Sequence, residues 1–107
     1  MAGGIAVNLQ GSSGATYAHE AFPKNFNWNP VAGNYAAMRL ANGSWTVIYV
    51  GETKNLQARL AKHENQPCFE RNGWTHLAFH AEPNEATRLR IEADLMNRYR
   101  PPCNKEI

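Results

Sequence analysis

The sequence predicts a small α+β domain in which a three-stranded antiparallel sheet is flanked by helices. Three features lead there. Two strand-like runs, "NYAAMRL" (34–40) and "SWTVIYV" (44–50), lie on either side of "ANG", and Asn-Gly between apolar runs is a strong hairpin signal. A third run, "WTHLAFHAE" (74–82), alternates as a strand does: Trp74, His76, Ala78 and His80 share one face, Thr75, Leu77 and Phe79 the other. The other periodic segments repeat every 3.6 residues, as helices do.

The elements follow in order. Residues 1–32 read as a partly flexible arm, because "MAGG" and "GSSGA" are small and loosely constrained. Within "FPKNFNWNP", Phe22, Phe26 and Trp28 are expected to anchor the arm as an extended segment that Pro30 closes. Residues 33–107 form the folded domain. Gly51 ends the second strand, and a helix is expected from about Asn55 to Glu64 with Asn55 as its N-cap. "NQPCFERNG" reads as a loop. Pro83 stops the third strand, and Asn84 caps a long helix from Glu85 to about Arg100, which Pro101-Pro102 terminates. There is no internal repeat.

The 107 residues allow one domain with one modest core. No run of ~18 apolar residues is present, so no membrane partner is expected. The opening residues lack a basic segment followed by an apolar one, so no secretion signal is expected. On that basis Cys68 and Cys103 read as free thiols in a reducing compartment, and the protein as cytoplasmic. The formal net charge of +2 is compatible with nucleic-acid binding but too small to hold a duplex by charge alone.

One carboxylate stands out. At 100° per residue, Ala86, Leu89, Ala93, Leu95, Met96 and Tyr99 cover one half of the last helix, and Thr87, Arg90, Asp94, Asn97 and Arg98 the other. Glu92 falls near the middle of the apolar half, where a charge is costly unless it is paired, metal-bound or facing a cavity. An ion pair with Arg88, one turn back, is the structural explanation; a metal ligand or a general acid or base is the functional one. On the first helix, Arg59 and His63 flank the stripe of Leu56 and Leu60. Arginine matches phosphate oxygens through its planar fork, and histidine moves protons near neutral pH. Alone, such a pair is ordinary solvated surface. His76, His80, Cys68 and Cys103 lack paired-ligand spacing for zinc, and Cys68 with His63 lacks an orienting third group for nucleophilic catalysis.

Taken in order, "GNY" (33–35), "YVG" (49–51), Asn55-Leu56, Arg59, His63, Glu92 and the Asn104 that follows "PPC" resemble the GIY-YIG nuclease superfamily. The resemblance spans residues 33–104 and is greatest to the branch that includes several restriction endonucleases. Asn34 departs from it, standing where the family has an aliphatic residue, so Asn34 is expected either to weaken the core or to point into the site. The resemblance implies metal-dependent endonuclease action on DNA, with RNA left open. In that scheme Glu92 holds Mg²⁺ or Mn²⁺, and Arg59 binds the scissile phosphate. Tyr35 orients or deprotonates the attacking water with His63 as proton acceptor. Tyr49 completes the polar lining, Asn104 orders the site from the C-terminal segment, and Lys54 and Lys62 add nucleic-acid contacts. A nucleic-acid-binding module on the same fold without catalysis is the alternative, and a plain interaction domain with a Glu92–Arg88 pair a third. Three residues follow Asn104, so specificity is expected from the arm, the 64–73 loop or a partner protein. Cutting both strands with one active site per chain would favour a homodimer.

The hairpin sets a geometric condition on this scheme. A regular ladder from a two-residue Asn42-Gly43 turn opposes Tyr35 to Val50 and Tyr49 to Ala36, which puts the two rings on opposite faces. A three-residue loop, or a bulge, restores a common face. An odd-length loop or a bulge is therefore predicted, with positive φ at Gly43 and both rings on the face that meets Arg59 and Glu92.

Overall fold

A computed structural model describes residues 3–104. Strands β1 (Ile5–Gln10), β2 (Thr16–Pro23), β3 (Gly33–Ala41) and β4 (Ser44–Thr53) precede helices α1 (Leu56–Ala61) and α2 (Gln66–Arg71). Strand β5 (His76–Ala81), helix α3 (Glu85–Tyr99) and a 3-10 turn (Pro102–Asn104) complete the chain. The strands form one antiparallel sheet in the order β1-β2-β5-β3-β4.

The architecture is α+β, but the sheet has five strands rather than three. The first two come from residues assigned to a flexible arm: β1 and β2 pair from Ile5↔Ala21 to Gln10↔Thr16, and β2 joins the rest through β5. The arm is thus part of the domain's own sheet. It is also tied down at its turn, where Asp94 of α3 accepts from the Ser13 amide (2.8 Å), the Ser13 hydroxyl (2.7 Å) and the Tyr17 hydroxyl (2.7 Å).

Helix α3 packs on one face of the sheet, burying Ile91 and Leu95 against Val7, Leu9, Ala36, Met38, Val50 and Ala78. Its N-cap is Asn84, which accepts from the Thr87 amide at 2.9 Å. Leu89, placed on the apolar half by the wheel, is 49% exposed, and the buried stripe runs through Arg88, Ile91 and Leu95 instead. Glu92 remains inside that stripe, half-buried, with different neighbours. The opposite face carries Tyr35, Ala37, Ile48, Tyr49 and Leu77, covered by Leu56 of α1 and by Cys68 and Phe69 of α2.

Two helical boundaries differ from expectation. Asn55 caps α1 by accepting from the Ala58 amide (3.0 Å), but the helix ends at Ala61, so His63 lies beyond it. The segment read as a loop contains α2, with Pro67 in its first turn, where a missing N–H costs nothing. The cysteines are not free: Cys68 of α2 is bonded to Cys103 of the C-terminal turn, with Cα atoms 5.8 Å apart. They therefore give no argument for a reducing compartment.

The β3–β4 hairpin meets its condition through the bulge. Its turn is the two-residue Asn42-Gly43, with φ 53° and 77°, the positive values of a type I′ turn. Ala41 opposes Ser44 and the ladder is regular to Met38↔Val47; it then shifts, so that Ala37 opposes Tyr49 and Tyr35 opposes Gly51. Ile48 is the extra residue, and it packs into the same cluster as Tyr49. The shift puts Tyr35 and Tyr49 on one face, as diagonal rather than direct partners.

Candidate active site

The two tyrosine rings stack with centroids 6.0 Å apart. Tyr35 lies across its partner Gly51, where a Cβ would stand 2.7 Å from both Cζ and the hydroxyl oxygen. Only glycine leaves that space, which gives the second motif its third residue a steric reason.

The Tyr35 hydroxyl is 2.8 Å from Nε2 of His63, a buried ring seated between Tyr49 and Phe69. The Asn65 amide donates to Nδ1 at 3.1 Å, so Nδ1 carries no proton and the neutral ring has its hydrogen on Nε2. Burial, and then the Arg59 charge, bring the His63 pKa down to about 4, so the ring is neutral at pH 7. The hydrogen bond therefore runs from His63 to Tyr35. His63 holds the phenol in place, and the expected role as acceptor of its proton does not fit this tautomer. Burial, and then Tyr49, push the Tyr35 phenol well above its ordinary value, while Arg59 acts in the opposite sense.

Arg59, in the last turn of α1, directs both terminal nitrogens at the exposed Glu64 carboxylate, each at 2.7 Å. The guanidinium holds the Glu64 carboxyl down at about 2. The fork expected to grip phosphate is thus engaged by a carboxylate, the side-chain group closest to phosphate in its oxygen geometry. Glu64 escaped sequence reasoning; the signal was an acid five residues after Arg59, just past the helix end.

Glu92 comes from the α3 side of the sheet, not from the tyrosine face as expected. The Glu92–Arg88 ion pair is absent. Arg88 is buried, with Nε on Glu52 Oε1 at 2.9 Å and a terminal nitrogen on the Pro83 (2.8 Å) and Glu82 (3.2 Å) carbonyls. Glu92 has no hydrogen bond or ion pair among the described residues. Burial, and then the Glu52 charge, raise its pKa; the Arg59 charge works against them, so these two side chains act on each other electrostatically.

Asn34 opposes Glu52 across the hairpin and faces α3, not the tyrosines. It is 1% exposed, and its amide nitrogen donates to the Arg88 carbonyl at 2.9 Å. The departure from the family's aliphatic residue is therefore a strap on the helical turn that carries Glu92. Glu52 was also missed; the bulged register, once known, places it opposite Asn34. Asn104 spends its whole amide on the open edge of β4, accepting from Val50 N and donating to Val50 O, both at 2.9 Å. It fastens the C-terminal turn to the "YVG" strand. Lys54 and Lys62 are exposed at the two ends of α1, with no ion pair among the described residues.

Among the described residues no three His, Cys, Asp or Glu side chains converge to hold a metal. Glu92 is a half-buried hard oxygen donor without a hydrogen bond or ion pair among the described residues, which suits a cation whose remaining ligands are water and phosphate. The sequence pattern of the GIY-YIG catalytic domain matches residues 35–106, most of the chain. The chain belongs to the GIY-YIG family. No curated protein matches it. GIY-YIG domains are a nuclease family that generally uses divalent metal ions on nucleic-acid substrates.

Proposed function

We propose that this GIY-YIG domain is a metal-dependent endonuclease that hydrolyses phosphodiester bonds of DNA with one Mg²⁺ or Mn²⁺. The observation that carries the proposal is Glu92: a half-buried carboxylate without a partner among the described residues, Arg88 being taken by Glu52, yet within the electrostatic reach of Arg59. Glu92 would hold the cation, which supplies positive charge against the leaving oxygen when bound.

The chain's own residues do the rest. Arg59 exchanges the Glu64 carboxylate for two oxygens of the scissile phosphate, presenting the same pair of N–H groups. Tyr35 stays a phenol, because burial raises its pKa, and with its oxygen fixed by His63 it orients the attacking water by hydrogen bonding. Tyr49 completes the lining. Lys54 and Lys62 contact flanking phosphates, and a homodimer or partner protein supplies a second site where both strands are cut.

Supercoiled plasmid incubated with the protein should be nicked or linearised with Mg²⁺ or Mn²⁺ and left intact with EDTA. Binding without cleavage in every metal would replace the enzyme with the binding-module alternative.

A further inference from the structure

We infer that the cavity between the 24–28 loop and helices α1 and α2 receives one unpaired base of the strand being cut. The inference rests on the nuclease reading. The cavity has a volume of about 380 Å³, room for a base and its sugar. Phe26, Trp28 and Trp74 contribute aromatic surface to its lining, Gln57 and Gln66 contribute carboxamides, and His63 closes it towards the tyrosines.

Four observations favour a base. Phe26 is one of three large apolar side chains exposed among the described residues, at 40%; its ring is stacked on Phe22 with centroids 4.2 Å apart, and the part left exposed at the cavity is aromatic surface that any base can use. Neither carboxamide has a hydrogen-bond partner among the described residues, and each offers a donor and an acceptor side by side, the pattern that reads the polar edge of a base. Trp28 lines the same cavity with its ring edge-on to Phe26, centroids 5.0 Å apart, so two aromatic side chains meet there. Finally, His63 both lines the cavity and bonds Tyr35, while Arg59 and Gln57 lie on opposite flanks of α1. A strand whose phosphate rests on Arg59 would reach the cavity by crossing the short helix α1. Lys24 at the margin, shared with Glu70 at 3.4 Å, adds a cation for the backbone. In a duplex the bases are stacked and paired, so the occupant is a single-stranded, bulged or flipped base.

The test is binding of the full chain, in EDTA, to single-stranded DNA oligonucleotides that differ only in the position of one abasic nucleotide, read by tryptophan fluorescence. One position should weaken binding about tenfold or more, and the others little. The doubly substituted Gln57→Ala, Gln66→Ala protein, shown folded by circular dichroism, should bind every member of the set alike. Equal binding of all members by the wild type, or a position-specific loss that survives in the double variant, would overturn the pocket. Free deoxynucleoside monophosphates competing as well as the oligonucleotide at equal concentration would overturn its assignment to a strand. Plasmid cleavage with Mg²⁺ is followed in parallel. Cleavage with position-independent binding removes the pocket and leaves the nuclease; position-specific binding without cleavage does the reverse.

Discussion

Tyr35 is fixed by a glycine beneath its ring and a histidine at its hydroxyl, so its position can be disturbed without touching its chemistry. Gly51→Ala puts a methyl group 2.7 Å from the phenol carbon and oxygen. The ring must move, at a cost of roughly 1–3 kcal/mol for overpacking. Both the melting temperature and the nicking rate should fall; no change in either would mean that Tyr35 does not lie over Gly51. Glu92→Gln has the opposite signature: cleavage lost in every metal, DNA binding near that of the wild type, and melting temperature at pH 7 raised. The last follows from linkage. A carboxyl whose pKa is raised on folding makes the folded state the better proton binder, so its ionisation destabilises the fold as pH rises through that value. Retained metal-dependent cleavage would remove Glu92 from the mechanism. This carboxylate was legible from the helical wheel alone, but its freedom was not. That depended on Arg88 choosing Glu52 from a strand 36 residues away, a pairing that no local pattern encodes.

At the scale of elements, local chemistry was legible and tertiary pairing was not. The β3–β4 hairpin, the caps Asn55 and Asn84, and the length of α3 follow from residues adjacent in sequence. Strands β1 and β2 do not. In "IAVNLQ" only Val7 and Leu9 are buried, and they are buried by α3 from the far end of the chain. Helix α2 was masked because a proline in a polar segment reads as a breaker, whereas a first turn tolerates it. The bulge was inferred from the demand that both tyrosines share a face, not from any residue at Ile48. Turn and bulge are therefore separable. Gly43→Ala strains a φ of 77° and should cost about 1 kcal/mol. It should lower the melting temperature but leave the nicking rate unchanged where the variant is fully folded, because the bulge sets the tyrosine register. A rate loss under those conditions would show that the turn governs the site.

Across the whole molecule, two devices govern stability, and each has its own signature. The Cys68–Cys103 bond closes a 35-residue separation and anchors the turn that brings Asn104 to the edge of β4. On chain entropy it contributes about 4 kcal/mol, so a reductant should lower the melting temperature markedly. A Cys68→Ser, Cys103→Ser variant that melts where the oxidised wild type does would show that the bond adds nothing. The second device is a pair of buried neutral histidines. His63 bonds Tyr35 on one face of the sheet. His19, bonded through Nδ1 to the Tyr17 carbonyl at 2.9 Å, lies beside His80 with ring centroids 5.4 Å apart. Burial lowers both pKa values to about 4, helped by the Arg59 charge at His63 and by His80 at His19. In the unfolded chain each titrates near 6.5. Between those limits the unfolded state binds more protons, so stability is fully present above about pH 6.5 and drains away as pH falls towards 4. Denaturant midpoints measured from pH 7.5 to 4 should therefore decline steadily, and His63→Gln should reduce the slope while His19→Gln reduces it separately. The Nε2–H that holds Tyr35 is present in both the neutral and the charged ring, so nicking by the folded protein should survive further into acid than stability does. A midpoint that stays flat down to pH 4 would mean that His63 is not held neutral in the core as its Asn65 contact and burial require, and a cleavage rate that collapses near pH 6.5 while the protein remains folded would mean that Nε2 must accept the Tyr35 proton rather than donate its own.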